Sequence, residues 1–374
     1  MKMTKYLSVD QSKLKQLKAY WTAKEIQQQP QSWSETVDSI ENNRNELNAF
    51  LQPILALKDL RIVFTGAGTS AYVGDAIVPH IRKETGLRAV SISTTDIVGT
   101  PHTSLHPNSP TLLVSFGRSG SSPESVAAVE LADKMVNQCF HLIVTCNAEG
   151  HLAVASKHKA NAFTLLMPEQ TLDQSFAMTS SFTSMLVAAL SVFTPVNNEL
   201  ANIIECTDNI LNSGIAEIQS LAENSANRVV FLGAGSLAAI AKEAALKCLE
   251  LTAGKNMSYF ETPLGFRHGP KSLINNETVV FIFPSYQEYT KAYDQDLIAE
   301  LESDDVAQNV VSIELEKFGL KQPIPDVWAG LPYIVVAQLF SFYQSLKFNL
   351  SPDNPCPSGE VNRVVEGVTI HELI

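Results

Sequence analysis

One short pattern occurs twice in the chain and limits the fold more than any other feature. An apolar, β-prone run precedes a glycine turn and a helix-prone stretch: residues 60–63 lead into GAGTSA at 66–71, and residues 228–232 lead into GAGSLA at 233–238. Two further β-prone runs follow each helix-prone stretch, at 88–93 and 111–116 in the first half and at 256–261 and 278–283 in the second. Strands that alternate with helices form parallel sheets covered on both faces. The repeat therefore predicts an α/β protein with two similar, doubly wound parallel-sheet halves.

The chain length indicates what accompanies these halves. At 374 residues the chain is long enough for two domains and a further segment. We expect an N-terminal helical segment over residues 1–50, a first α/β domain over residues 51–215, and a second α/β domain with a C-terminal tail over residues 216–374. In the tail, prolines and a glycine make residues 351–360 an irregular loop, and residues 364–370 are β-prone.

The N-terminal segment is polar and helix-prone. Two capping-box patterns, Thr22-x-x-Glu25 and Ser32-x-x-Glu35, predict the starts of two helices, which Pro30 separates. The aromatic residues of this segment need a surface to pack on; they are Tyr20, Trp21 and Trp33. The segment is either a helical lid packed on its own chain, or a dimer contact or active-site cover, and the sequence leaves these interpretations open.

Charge and composition exclude several classes of partner. Acidic residues outnumber basic ones by 39 to 27, and the net charge of −12 has the wrong sign for binding nucleic acid. The start of the chain lacks the apolar core of a signal peptide, and no apolar run approaches the ~20 residues that span a membrane. The five cysteines form no CxxC pair, which favours reduced thiols over disulfides or a zinc site. We expect a cytoplasmic protein with no membrane or nucleic-acid partner.

Two loops of the first half carry the residues expected to bind phosphate. The turn at 66–71 joins a strand to a helix, where backbone N–H groups and the positive helix end attract an anion. The third strand runs into SFGRSGSSPES at 115–125, whose short hydroxyl donors suit a phosphate monoester. Ser122 before Pro123 also predicts a helix N-cap. Together the loops predict a phosphate cradle at the carboxyl edge of a parallel sheet, with the candidate ligands Thr69, Ser70, Arg118, Ser119, Ser121 and Ser122.

Both glycine turns also fit the relaxed dinucleotide pattern GxGxxA. Asp96, near the end of the next predicted strand, is then the candidate for the acid that binds the ribose. The second half lacks a serine loop, because its third strand leads into PSYQEY at 284–289. If both halves bound a nucleotide, their loops would be more alike. A dehydrogenase stays open as an alternative, and binding of NAD(P) would support it.

A charged stripe lies on the apolar helix predicted at 239–254. Glu243, Lys247 and Glu250 fall within about 60° of one another around a helix. One interpretation is a solvent-facing edge with a pair spaced at i,i+4, which contributes a few tenths of a kcal/mol. The other is a stripe that points into a site, where a partly desolvated glutamate can remove a carbon-bound proton. The rest of the helix has no broad polar face, which favours the second interpretation.

A further candidate for acid–base chemistry follows in TPLGFRHGPKSLI at 262–274. Arg267, His268 and Lys271 surround a glycine and a proline there. An isolated histidine is usually an ordinary surface or core residue. A histidine held in a glycine-proline loop of an α/β unit is a candidate acid or base at neutral pH.

Four motifs in this order resemble the paired sugar isomerase (SIS) domains of phosphosugar enzymes, including the isomerase half of glucosamine-6-phosphate synthase. They are GAGTS at 66–70, the serine loop at 117–124, EAALKCLE at 243–250, and FRHGP at 266–270. The serine loop is similar to the family pattern SxSGxTxE. The resemblance runs from about residue 50 to the end. Residues 21–33 and 351–365 are in addition similar to galactosamine-6-phosphate deaminase/isomerases, long called tagatose-6-phosphate ketose/aldose isomerases. The resemblance implies two tandem flavodoxin-like domains.

The resemblance also implies roles for individual residues. Thr69, Ser70, Ser119 and Ser122 fall on positions that bind phosphate. Glu250 falls on the residue that moves a proton between C1 and C2, with Glu243 and Lys247 beside it, and His268 on a histidine associated with opening the sugar ring. The family usually dimerises and can share sites across the interface, so we expect a homodimer or a higher homo-oligomer.

The chain departs from the family pattern at three places. Gly117 replaces a serine, Ser122 replaces a threonine, and a lysine near the C-terminus is missing, since the last lysine is Lys347. Arg363 or Glu366 are the candidates for that neighbourhood.

The sequence lacks the features of an ammonia source, and this favours a reaction that releases ammonia over one that uses it. The start, Met1-Lys2, is not the N-terminal cysteine of a glutaminase, and about 50 residues are too few for such a domain. We therefore expect release of ammonia from a phosphorylated amino sugar, without a metal or other cofactor. A non-deaminating ketose/aldose isomerase and a regulatory phosphosugar-binding protein are the alternatives.

Overall fold

A computed structural model describes residues 5–196, 198–223, 226–365 and 367–373. The described residues form two compact units, each named here after its sheet. The first-sheet unit holds residues 32–173, 180–196, 360–365 and 367–373, and the second-sheet unit holds residues 5–31, 174–179, 198–223 and 226–359. The domain boundaries predicted at residues 50 and 215 stay predictions.

The chain begins with short strands and four helices. These are β1 (Lys5–Tyr6), β2 (Val9–Asp10), α1 (Gln11–Gln16), α2 (Tyr20–Gln27), α3 (Gln29–Asn42) and α4 (Arg44–Leu55). The helical character predicted for this segment is confirmed. Pro30 lies in the first turn of α3, where the missing N–H costs no helical hydrogen bond.

Both predicted capping boxes are wrong. Thr22 lies inside α2, and Asp353 caps this helix from the distant tail by accepting hydrogen bonds from Thr22 N (2.8 Å) and Trp21 N (3.2 Å). The carboxylate of Glu25 turns away from the helix start and accepts from Gln174 N (2.5 Å). Ser32 is likewise buried inside α3 and caps nothing.

The first sheet contains five parallel strands in the order β4-β3-β5-β6-β7. They are β3 (Arg61–Thr65), β4 (Ala89–Ser91), β5 (Thr111–Gly117), β6 (Cys139–Thr145) and β7 (Ala162–Leu166). The helices that follow β3 in this unit are α5 (Thr69–Thr85), α6 (Thr94–Gly99), α7 (Pro101–Ser104), α8 (Pro123–Met135), α9 (His151–Ser156) and α10 (Ser180–Phe193), with a 3-10 turn at Glu169–Thr171. The central strand β5 is buried along its whole length. The predicted doubly wound parallel sheet is confirmed.

The second sheet contains four parallel strands in the order β11-β10-β8-β9. They are β8 (Arg228–Leu232), β9 (Met257–Glu261), β10 (Thr278–Ile282) and β11 (Asn309–Ser312). Its helices are α11 (Glu199–Asn209), α12 (Ile215–Glu223), α13 (Ser236–Leu251), α14 (Pro263–Phe266), α15 (Glu288–Asp304) and α16 (Asp326–Lys347). A π-helical turn at Ile210–Gly214 joins α11 to α12, and 3-10 turns lie at Pro270–Leu273 and Leu315–Phe318. The two halves therefore repeat the same strand–turn–helix order that the sequence predicts.

The two faces of the second sheet bury different helices. On one face, Val230 and Ile282 pack with Phe266 of α14 and Leu297 of α15. On the other face, Phe281 meets Phe340 of α16 edge to face, with ring centroids 4.8 Å apart. Helix α13 packs closely along α16 on this second face. A side chain at Gly330 of α16 would bring its Cβ to 2.7 Å from the side chain of Ile240 on α13, so a glycine is required there.

The tail differs in part from its prediction. Residues 351–360 form the predicted irregular loop. Residues 364, 365 and 367–370 form no strand, so the β-prone pattern does not determine their structure, whereas Glu366 lies outside the described residues. All five cysteines are free thiols, as expected. None of the described helices combines the length and the apolar character needed to cross a membrane.

Candidate functional site

Two adjacent strands of the first sheet bring the predicted phosphate loops to one edge. β3 and β5 pair in parallel, from Arg61 with Thr111 to Thr65 with Ser115, so their carboxyl ends lie side by side. The turn after β3 leads into α5, whose first residues Thr69 and Ser70 are both buried. A Cβ at Gly66 would lie 2.6 Å from the backbone carbon of Ser70, so only glycine fits this close turn.

The serine loop after β5 is held by residues of the neighbouring strand β6 and the turn that follows it. Thr145 donates its hydroxyl hydrogen to the carbonyl of Gly117 (2.7 Å), and the Asn147 amide donates to the carbonyl of Ser119 (3.1 Å). Gly120 takes a φ of +62°, which favours glycine. Thr145 and Asn147 were not predicted as part of this loop, because nothing in their local sequence links them to residues 28 positions earlier.

The hydroxyls of the serine loop have local partners. Ser121 Oγ accepts from the backbone N of His151 (3.2 Å). Ser122 takes the N-cap position of α8, with Pro123 in the first turn, as predicted. Its hydroxyl, however, donates to Ser125 Oγ (2.6 Å) and does not accept from a helix amide. Ser122 therefore marks the start of α8 without capping its amides through its side chain.

Arg118 of the same loop is bonded to the C-terminal tail. Its side chain is buried, and Nη2 donates to the carbonyl of Arg363 (2.5 Å). Arg363 Nε in turn donates to the carbonyl of Asp173 (3.1 Å). The Asp173 carboxylate caps α10 by accepting from Ser181 N (2.9 Å). A continuous series of hydrogen bonds thus joins the serine loop, the tail and the start of α10.

The charged stripe on α13 forms a buried ionic cluster. Glu243 and Lys247 have no exposed side-chain surface, which excludes the solvent-facing interpretation. Lys247 Nζ lies 3.4 Å from Glu243 Oε1 and also donates a short hydrogen bond to Glu250 Oε2. The Glu250 side chain is 24% exposed, so it alone of the three reaches solvent. The cluster therefore presents one carboxylate at the surface, and a buried ammonium holds it in place.

His268 lies away from this cluster. It follows α14 and is exposed, and its neighbours Arg267 and Lys271 both form ion pairs with Glu300 of α15. This segment therefore lies on the α15 face of the second sheet, whereas Glu250 belongs to α13 on the opposite face. The second-sheet unit does not bring His268 and Glu250 together.

The second half fills its own loop with carboxylates where the first half has the serine loop. After β10, Ser285 N donates to Asp294 Oδ2 (2.8 Å) and Tyr286 N donates to Asp326 Oδ1 (2.7 Å). Ser285 Oγ also donates to Asp326 Oδ2 (2.7 Å). These amides and this hydroxyl are therefore already bonded to internal anions.

The residues that the alternatives would need are placed differently. Asp96 lies in the first turn of α6 and is exposed, and its backbone N donates to Ser93 Oγ (3.0 Å). It is therefore not at the end of β4, where the dinucleotide interpretation put it. Within the described ranges, one group of three potential metal ligands lies within 4.8 Å, namely Asp133, Cys139 and His141. The Asp133 carboxylate is hydrogen-bonded through one oxygen to His141 Nε2 (2.7 Å) and through the other to Lys159 Nζ (2.7 Å). The positive charge beside this carboxylate therefore comes from a lysine.

The sequence and the fold have counterparts in known proteins. The family model of the SIS domain matches residues 54–195 and 224–316. The chain belongs to the SIS domain family, which confirms the resemblance of its motifs.

Particular members of the family are similar to nearly the whole chain. A D-galactosamine-6-phosphate deaminase, AgaS, from Shewanella sp. (strain ANA-3) is 48% identical over 98% of this chain and 95% of its own. A protein of the same name from Escherichia coli is 44% identical over 94% of this chain and 95% of its own. The crystal structure of tagatose-6-phosphate ketose/aldose isomerase from Escherichia coli is 42% identical, with a TM-score of 0.87 over 94% of this chain and 96% of that one.

Proposed function

We propose that the protein converts D-galactosamine 6-phosphate and water to D-tagatose 6-phosphate and ammonia. The observation that carries this proposal is the cluster on α13, in which only the Glu250 carboxylate reaches solvent while Glu243 and Lys247 are fully buried. Two relatives at 44% and 48% identity are named D-galactosamine-6-phosphate deaminases, which supports the choice of an amino sugar.

Glu250 is the proposed base. In the open-chain sugar, the C1 aldehyde makes the C2 hydrogen acidic, and the Glu250 carboxylate removes this proton to give an enolamine. Return of the proton to C1 gives a primary alcohol at C1 and an imine at C2. Water adds to the imine carbon, and ammonia leaves to give the ketose. Lys247 orients the Glu250 carboxylate through their hydrogen bond, and Glu243 is a second, fully buried carboxylate beside the same ammonium.

The two loops at the carboxyl edge of the first sheet are the proposed phosphate site. Ser119, Ser121 and Ser122 supply hydroxyls, and the start of α8 supplies backbone amides with a positive helix end. Thr69 and Ser70 supply the corresponding groups at the start of α5. Arg118 adds positive charge, although its bond to the tail carbonyl makes it as much a support of the loop as a ligand.

His268 is proposed to assist opening of the sugar ring in the site of a second protomer. It lies on the α15 face of the second sheet, away from Glu250 of its own chain. A homodimer, or a higher oligomer, lets one protomer supply Glu250 and its partner supply the histidine. The cytoplasmic location expected from the sequence stays part of the same proposal.

A plain aldose/ketose isomerase is the second candidate. The Escherichia coli structure described above carries the name tagatose-6-phosphate ketose/aldose isomerase. This reaction uses the same proton transfer between C1 and C2, with a hydroxyl in place of the amino group.

Incubation with three substrates separates the candidates. Galactosamine 6-phosphate, glucosamine 6-phosphate and tagatose 6-phosphate are each assayed for ammonia and for ketose or aldose. We expect ammonia and ketose in equal amounts from galactosamine 6-phosphate. Conversion of tagatose 6-phosphate to an aldose, with no ammonia from either amino sugar, would favour the plain isomerase. No turnover of any of the three would contradict both enzymatic candidates.

A further inference from the structure

The second-sheet unit contains a cavity at the carboxyl ends of β10 and β11. Its volume is about 580 Å³, within the range of small-molecule sites. The walls are the loop 284–286, the end of β11 at Ser312 with residues 313, 314 and 316, one side of α15, and Tyr333 of α16. Ligands of open α/β sheets bind at this edge, outside the carboxyl ends of the strands.

The cavity disfavours the binding of a phosphate group. Ser285 and Tyr286 line it, and their amides already donate to Asp294 and Asp326. Asp294 is 1% exposed, and its second oxygen, Oδ1, has no hydrogen-bond partner among the described residues. Burial raises the pKa of Asp294 to about 6, and the charge of Asp326 adds to the rise. Two internal carboxylates beneath the cavity floor repel a further anion.

The side chains of the wall favour a cation. Three glutamates line the cavity against one lysine; these residues are Glu302, Glu314, Glu316 and Lys291. Glu314 pairs with Lys317 (3.1 Å), while the Lys291 ammonium lies 5.9 Å from the ring centroid of Tyr286. When Asp294 and Asp326 are added to the three glutamates, five carboxylates lie at this edge of the sheet. Two ammonium groups, those of Lys291 and Lys317, lie beside them. The net field attracts a positive charge.

The remaining wall groups suit a hydroxylated ring. Tyr286 is half-buried and presents aromatic surface, whereas Tyr333 is buried beneath the wall and its hydroxyl donates to the carbonyl of Pro284 (2.9 Å). Gln295 and Ser312 add an amide and a hydroxyl. Aromatic faces beside carboxylates and amides can stack on a sugar ring and accept hydrogen bonds from its hydroxyls.

We propose that this cavity binds an amino sugar that carries no phosphate group, with its ammonium at the glutamates and its ring against Tyr286. The site differs from the proposed catalytic cluster, because Glu243, Lys247 and Glu250 are not among the residues that line the cavity. The inference does not depend on the deaminase reaction, since the ligand needs neither the serine loop nor Glu250.

Calorimetric titration with galactosamine, in phosphate-free buffer, tests the proposal. The titration uses the full chain carrying Glu250→Gln, so no turnover contributes heat. We expect saturable binding, about tenfold or more weaker binding of N-acetylgalactosamine, which lacks the charge, and no displacement by inorganic phosphate. Glu316→Gln and Glu302→Gln should each weaken galactosamine binding by about tenfold. Asp296→Asn, on an exposed position of α15 outside the cavity lining, is the matched control and should leave the affinity unchanged.

Three results would overturn the assignment. The first is no binding of galactosamine. The second is equal binding of galactosamine and N-acetylgalactosamine, which would remove the role of the charge. The third is binding that Ser122→Ala or inorganic phosphate abolishes and the glutamate variants leave intact, which would place the sugar in the phosphosugar site. Each of these results is independent of whether the wild-type enzyme releases ammonia.

Discussion

Replacing Lys247 with methionine tests the ionic cluster on α13. The ammonium has no exposed surface and is the partner of two carboxylates, Glu243 and Glu250. Methionine keeps most of the volume of the side chain but removes the charge. Glu243, itself fully buried, then loses the ammonium that lies 3.4 Å from its carboxylate.

The expected cost follows from the burial of Glu243. Breaking a buried ion pair by removing one partner costs about 3–5 kcal/mol, because the remaining charge stays desolvated. The second-sheet unit has about 200 residues, and in a unit of that size 1 kcal/mol shifts the melting temperature by roughly 2–4 °C. We therefore expect Lys247→Met to lower the melting temperature of this unit by roughly 6–20 °C.

Thermal unfolding followed by circular dichroism measures this shift. Lys242→Met is the matched control, because Lys242 is a half-buried residue of the same helix whose ammonium lies 5.9 Å from the Phe260 ring. It should cost about 1 kcal/mol or less. The double variant Glu243→Gln/Lys247→Met, which removes both charges, should recover much of the lost stability. A single Lys247→Met variant that melts within about 2 °C of the wild type would refute the buried cluster.

Three further predictions concern charge, the tail and the oligomer. Burial raises the pKa of Asp294 to about 6, so as the pH falls the folded protein takes up a proton there before the unfolded chain does, and the free energy of unfolding should rise from about pH 7 to about pH 5. Asp294→Asn should weaken that rise. Melting temperatures of the wild type and the variant that change with pH in the same way would contradict this prediction. Arg363→Ala should raise the KM about tenfold with little change in kcat, whereas the exposed tail variant His371→Ala should change neither, as steady-state kinetics will measure. Mixed dimers of Glu250→Gln and His268→Ala should regain about a quarter of the wild-type activity, since half of the random dimers are mixed and each has one complete site; no recovery would place His268 outside a shared site.

The sequence predicts the repeated core well because the signals there are local. Glycine turns, β-prone runs and helix-prone stretches follow one another within about 20 residues, and the structure reproduces each of them. β8, for example, occupies the predicted residues 228–232, and α5 starts one residue before the predicted 70. The sequence also predicts the ionic stripe on α13, because the spacing of three residues on one helix does not depend on other elements.

Long-range contacts explain the predictions that were wrong. Thr22 and Glu25 fit a capping box, but Asp353, 331 residues away from Thr22, caps this helix. A local pattern cannot reveal a competitor that distant. The aspartates that fill the loop after β10 were missed for the same reason, because Asp326 lies 40 residues after Tyr286.

The partner of Arg118 shows the same limit in the candidate site. The composition of the serine loop predicts Arg118 as a phosphate ligand, which stays a prediction, and it gives no sign that the guanidinium also donates to the carbonyl of Arg363, 245 residues later. The sequence thus identifies which residue types form the loop, whereas the packing of the tail determines what they contact.

Ammonia release from galactosamine 6-phosphate with hydrogen or deuterium at C2 tests the central claim most directly. The wild-type enzyme should turn over the deuterated substrate more slowly, because removal of this hydrogen is part of the reaction. Glu250→Gln should lower kcat by roughly 10²- to 10⁴-fold while the dissociation constant of the substrate stays within about threefold of the wild type. A Glu250→Gln enzyme that keeps more than about a tenth of the wild-type kcat would contradict the assignment of Glu250 as the base.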